Sequence, residues 1–159
     1  MNIKLVSVGR LKEDYLRAAC SEYSKRLSRY ASVEMIEVAD EKAPENASPA
    51  RREQIKDIEG KRILARIADN EFVFALAIEG KQLKSEELAE KLDSLMQSGR
   101  SDITFVIGGS LGLSGEVMRR ADLPLSFSKL TFSHQIFRVM LLEQIYRSFK
   151  IIRREPYHK

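Results

Sequence analysis

The chain has 159 residues, 43% hydrophobic and 31% charged, which suits one domain with a single substantial core. Its 27 Lys and Arg against 23 Asp and Glu leave a formal charge of +4, which permits a nucleic-acid partner without demanding one. No apolar run approaches the roughly 20 residues of a bilayer span, and one cysteine with two histidines allows neither an internal disulfide nor zinc-ligand spacing, so neither membrane nor metal is expected.

Met1-Asn2-Ile3-Lys4-Leu5-Val6 runs straight into a strand pattern over Ile3–Val8, with no signal-peptide cleavage site, and a reducing cytoplasm is the expected setting. A helix follows, with Leu16, Ala19, Tyr23, Leu27 and Tyr30 at three- and four-residue spacing. Cys20 lies on its core-facing stripe, which argues against a nucleophile. Val33–Val38 reads as a second strand. The turn-rich "ADEKAPENASPA" ends in Ser48-Pro49, an N-cap and first helical residue for a helix through Ile55, Ile58, Leu64 and Ile67 that carries an interior glycine, Gly60. Phe72–Ile78 is continuously apolar, as expected of a strand buried on both faces in a parallel sheet.

Ser85, followed by Glu86 and Glu87, opens a third helix. Ile103–Ile107 is the fourth strand, and Ser114 or Gly115 starts a short helix. Leu123–Phe127 is a fifth strand, with Pro124 placing it at an edge or a strand start. The last helix runs from about Ser133 to about Ile152. The alternation predicts an α/β domain with a mostly parallel sheet and helices on both faces, spanning 1–159, with a basic tail at about 150–159. The last helix is apolar over more than one stripe, from Ile136 to Phe149, as expected if one face meets the sheet and another a second copy of the chain.

The glycine-rich stretch "GGSLGLSG" after the fourth strand is the first candidate site. It lacks the Lys-Ser/Thr ending of a P-loop and the G-x-G-x-x-G spacing of a dinucleotide fold. A nucleoside-like ligand at the carboxyl ends of central strands fits better, because glycines allow close backbone approach. The segment "LSFSKLTFSHQIF" supports this, with polar and apolar residues interleaved to wrap an amphiphilic ligand. His134, at a helix start, reads as structural rather than catalytic.

"FVIGGSLGL", "LSFSKLTFSHQIFRVMLLEQIYRSFKI" and the terminal "EPYHK", with the opening "MNIKLVSVGRLKEDYLRAACSEYSKRL" and the "DEKAPENAS" loop, closely resemble the RlmH type of ribosomal RNA methyltransferase, in the SPOUT superfamily. The resemblance spans nearly the whole chain. It implies a C-terminal trefoil knot, which no periodicity indicates, and an S-adenosylmethionine-dependent homodimer. That dimer would methylate N3 of a pseudouridine in a stem-loop of 23S ribosomal RNA on the assembled 70S ribosome. The matching cofactor positions are Leu76, Gly108 and the loop Phe127, Ser128, Lys129, Leu130, Thr131 and Phe132, with Gly109 assisting the turn. Arg147, Arg154, Tyr157 and His158 are the matching RNA-binding positions, with His158 the candidate proton acceptor and Tyr157 the base-positioning residue. One subunit's tail would sit beside the other's cofactor. Leu111 and Ser133 depart from the family pattern, where a polar residue and a proline are usual. The alternatives are a transfer RNA methyltransferase of the same superfamily and a noncatalytic ribosome-binding protein.

Overall fold

The computed structural model describes all 159 residues. Ten elements alternate along the chain: β1 (Asn2–Val8), α1 (Asp14–Leu27), β2 (Ser32–Val38), α2 (Pro49–Leu64), β3 (Phe72–Gln82), α3 (Ser85–Gln97), β4 (Asp102–Ile107), α4 (Gly115–Arg120), β5 (Leu123–Ser126) and α5 (His134–Ile152). The five strands form one parallel sheet in the order β2-β1-β4-β3-β5, with β5 at an edge, so that Pro124 occupies a margin of the sheet. No helix is long and apolar enough to cross a membrane.

The two-residue period of the strands sorts the core into two layers. Ile3 and Leu5 of β1, Phe72 and Phe74 of β3, and Ile103, Phe105 and Ile107 of β4 pack with α1, α3 and α5. Val6 and Val8, Val73 and Val106 turn to the other face, against α2 and α4. The three-helix face is the larger, and α5 lies between α1 and α3.

Helix starts follow the sequence closely. Ser48 Oγ accepts from Arg51 N at 3.1 Å with Pro49 in the first turn, Ser114 Oγ accepts from Val117 N at 3.3 Å, and Ser133 Oγ accepts from Gln135 N at 3.3 Å. Glu87 accepts from Lys84 N at the start of α3. Two helix ends differ from expectation, since α1 stops before Tyr30 and α2 before Ile67. Both residues still pack on the core, so their spacing marked burial rather than helix.

β3 departs further. Phe72, Val73, Phe74 and Ala75 are buried, as expected of an inner strand, but the strand runs on to Gln82 and Ile78 is 50% exposed. The pairing with β5 jumps between Leu76 and Lys81, so the chain bulges out of register where Ile78 sits. Gly80 lies in this stretch, and a Cβ there would come within 2.7 Å of the Leu125 backbone.

Gly60 is the contact point of α2 with α4. A Cβ at this position would lie 2.3 Å from Ser114 Oγ and 3.0 Å from Ser114 Cβ. Rotating the serine away would release its cap on Val117 N, worth about 1 kcal/mol. Gly60→Ala is therefore expected to destabilise the fold by about 1–3 kcal/mol, overpacking outweighing the roughly 1 kcal/mol gain in helix propensity. Thermal unfolding checks this, and a raised Tm would refute it.

Candidate functional site

A cavity of about 650 Å³ opens at the carboxyl ends of β3, β4 and β5, where open parallel sheets bind ligands. Its walls are the end of β3 (Leu76 to Glu79), the turn after β4 (Ile107 to Leu113), and the segment from Leu125 to His134, closed by Phe137 and by Lys56 from α2.

The glycine turn is tight for identifiable reasons. Gly112 N donates to Gly109 O at 3.1 Å, and Gly112 has φ +90°, a conformation glycine adopts without strain. A Cβ on Gly108 would lie 2.8 Å from the Gly112 carbonyl carbon and 2.9 Å from its oxygen. Gly109 rests on Val8 and on Glu59, a carboxylate only 4% exposed. Glu59 accepts from Glu41 N at 3.0 Å, which ties the loop after β2 to the underside of the turn. Burial pushes the Glu59 carboxyl above the usual carboxylate range.

The facing loop is shaped by its own hydroxyls. Ser126 Oγ donates to Ser128 O at 3.0 Å, and Leu130 N donates to Ser128 Oγ at 3.0 Å. Phe127 and Phe132 both pack on Phe137, with ring centroids 4.8 and 6.3 Å away, so the loop is anchored to the first turn of α5. Leu130 is 70% exposed and stands with Phe132 and Ile78 at an apolar mouth. Apolar walls, backbone polar groups at strand ends and glycines that admit close approach together suit an amphiphilic, nucleoside-like ligand.

Leu76, Gly108, Gly109, Phe127, Ser128, Leu130, Thr131 and Phe132 all line this cavity, whereas the Lys129 side chain does not. His134 belongs to the segment read from the sequence as wrapping a ligand, and it lines the cavity, whereas sequence reasoning missed Lys56 and Ala77 to Glu79 as lining residues. The expected strand already reached Ile78, and taking its whole carboxyl end as the edge of the site, rather than Leu76 alone, would have found Ala77 to Glu79. Lys56 arrives from a distant helix and left no local signal.

The N-terminal half of α5 is fastened to the same end of the sheet by Arg138, which is fully buried. Its guanidinium donates to Val8 O at 3.1 Å, Gly9 O at 2.8 Å and Glu37 Oε1 at 2.8 Å, and Glu37 Oε1 also accepts from Leu11 N at 2.8 Å. Periodicity would place an apolar residue here, and nothing local signals the exception.

Arg147, Tyr157 and His158 come together, but away from the cavity of their own chain. The Arg147 guanidinium lies over the Tyr157 ring at 4.7 Å, and Glu143 accepts from both Arg147 and the Tyr157 hydroxyl. Burial, together with hydrogen bonds to its neighbours, pushes the Tyr157 phenol well above its ordinary value, so it donates rather than acting as a base. His158 Nδ1 lies 3.2 Å from Arg147 Nη1, and Nε2 lies 2.9 Å from Glu86 Oε1. A guanidinium can only donate, so Nδ1 is the acceptor and Nε2 carries the proton given to Glu86. Arg154 is exposed, at φ +55°, outside this cluster.

An apolar groove adjoins the cavity and shares Leu125, Ser126, Phe127 and Phe132 with it. Tyr23, Leu88, Ile136, Val139 and Met140 continue the groove toward Glu143.

The family described as "Predicted SPOUT methyltransferase" matches residues 1–158. The chain is similar to proteins named Ribosomal RNA large subunit methyltransferase H. It is 57% identical over 159 residues to that of Clostridium kluyveri and 60% identical over 159 residues to that of Bacillus cytotoxicus, in both cases over the full length of each chain.

Proposed function

This chain belongs to the SPOUT methyltransferase family, and we propose that it methylates large-subunit ribosomal RNA, using S-adenosylmethionine to place a methyl group on N3 of a pseudouridine. The observation that carries the reading is the cavity between the Gly108 turn and the 127–132 loop, combined with full-length identity of 57–60% to methyltransferases of this name. The residues fit the donor: Gly108 and Gly109 clear space for backbone contact with a nucleoside, and Phe127, Leu130 and Phe132 supply apolar cover. When bound, the donor supplies a methyl group already activated by a positive sulfonium.

The chain then has to orient, shield and remove a proton. Leu76 and the glycine turn form one wall, and the serine-fixed loop forms the other and excludes water. The N3 proton needs an acceptor near the cavity. The tail residues Arg147, Tyr157 and His158 enter this reading as parts that grip the RNA, Arg147 on phosphate and Tyr157 on the base, with Arg154 adding charge. They reach a cavity across a homodimer, one subunit's tail serving its partner's cofactor. The apolar groove running from the cavity to Glu143 supports this arrangement, because it offers a second α5 a continuous apolar surface. Action on whole 70S ribosomes in the cytoplasm is part of the same proposal. A formal charge of +4 gives limited hold on naked RNA, so ribosomal contacts complete the recognition.

The test is methyl transfer from labelled S-adenosylmethionine to ribosomes lacking the modification, with free ribosomal RNA and transfer RNA as parallel acceptors and mass mapping of the product. The expected result is label on one large-subunit pseudouridine, from whole ribosomes only. Label on transfer RNA would replace the substrate, and cofactor binding without any transfer would favour a noncatalytic ribosome-binding protein.

A further inference from the structure

The chain has two histidines, His134 and His158, and the structure treats them oppositely. His158 has both ring nitrogens engaged within its own chain, Nδ1 by Arg147 and Nε2 by Glu86. To accept a proton at Nδ1 it would have to give up the Arg147 contact and point two positive groups at each other. His134 is half-buried, lines the cofactor cavity, and makes no hydrogen bond through its ring. Its Nε2 lies toward Gly9 and the neighbouring Asp40, and neither donates to it nor accepts from it.

His134 is also held still. It is the first residue of α5, and Arg138, one turn on, fastens that turn to Val8 O, Gly9 O and Glu37. Phe137 packs between Phe127 and Phe132, so the same turn carries the cofactor loop. A general base needs a free lone pair, a fixed position and a place at the site, and of the two histidines only His134 lines the cavity of its own chain with its ring free of hydrogen bonds.

We propose that His134, rather than His158, is the general base that accepts the N3 proton of the target base during methyl transfer. The inference rests on the methyltransferase reading above. The ring nitrogen of the target releases its proton to His134 and keeps the electron pair that forms the N–CH3 bond. The sulfur retains the pair of the broken S–CH3 bond and leaves as a neutral thioether. His158 then acts as a positioning residue for Arg147 in the tail.

The groups around His134 make the neutral imidazole the working form. Burial pushes its pKa below the ordinary value, Arg138 on its own helix and Lys12 from the loop after β1 push in the same direction, and Asp40 after β2 opposes them. The ring is therefore unprotonated at neutral pH, and the acidic limb of the rate profile lies below the ordinary histidine value of about 6.5.

The experiment compares wild type and His134→Asn in single-turnover methyl transfer to unmodified ribosomes across pH, with cofactor affinity measured by calorimetry and the ring pKa of His134 followed by NMR on histidine-labelled wild-type protein. The expected result is a rate loss of about 100-fold or more with the acidic limb abolished, cofactor affinity within about threefold of wild type, and a ring that is neutral at pH 7. A variant that keeps the wild-type rate and limb, or one whose loss vanishes at saturating cofactor, would overturn the assignment. So would a His134 ring still protonated at neutral pH, a readout that needs neither activity nor a folded variant. If wild type itself transfers no methyl group to ribosomes, the functional reading fails and this inference fails with it.

Discussion

Arg138→Met is expected to lower the stability of the folded chain by about 3–5 kcal/mol. The guanidinium is the sole side-chain donor to the carbonyls of Val8 and Gly9, two residues that are themselves buried. Leaving two buried acceptors without a partner costs about 1–3 kcal/mol each. The Glu37 carboxylate loses a counter-ion as well, but its side chain is 38% exposed, so water compensates much of that part. Methionine fills most of the space, which keeps the cavity contribution small. Urea unfolding with an unchanged m-value is the measurement. A loss below about 1 kcal/mol would mean that the two carbonyls find other donors. The substitution also removes a positive charge beside His134, so the pKa of that ring should rise toward its ordinary value.

The second large effect is on binding. Gly108→Ala is expected to weaken S-adenosylmethionine binding by about 100-fold or more. The added methyl would lie 2.8 Å from the Gly112 carbonyl carbon and 3.1 Å from Leu113 Cδ2. The first of these is backbone and has no rotamer to escape into. The turn closed by Gly112 N to Gly109 O would have to open, shifting one wall of the cavity. A displacement on the order of 1 Å in a binding site costs about this much. Gly99→Ala is the control. It places a side chain at φ +77° with nothing within 4 Å, so it strains the end of α3 by about 1–2 kcal/mol without reaching the cavity. Calorimetric titration of both variants should separate the two, with binding lost in Gly108→Ala and kept in Gly99→Ala. Equal affinities would remove the glycine turn from the cofactor site.

The two predictions share a cause. Both residues hold the carboxyl end of the sheet in shape, Arg138 by tying α5 to the end of β1 and Gly108 by letting the turn after β4 close on Gly112. The cavity depends on both contacts, since the 127–132 loop hangs on the first turn of α5 and the glycine turn rests on Glu59 of α2.

Local physics was enough to read the order of elements. A two-residue period and continuous apolar runs marked the strands, serines at 48 and 114 marked helix starts, and the glycine-rich stretch after β4 marked the end of the sheet where the cavity opens. These signals act between near neighbours, so they survive in the sequence. The segment after β5 was also legible from its interleaved polar and apolar residues, and of the eight positions besides Gly109 that the resemblance named, seven line the cavity, Lys129 being the exception.

The structure alone decided what depends on residues far apart in the chain. Arg138 is buried because three acceptors from β1 and β2 converge on it, at separations of more than 100 residues. The bulge that exposes Ile78 arises from pairing with β5, which follows some 45 residues later. The two histidines look alike in sequence, one at a helix start and one near the terminus. Only the packing of α5 shows that His158 is engaged on both nitrogens while His134 lines the cavity with no hydrogen bond on its ring, because a hydrogen-bond partner is set by tertiary position and not by the residues beside it.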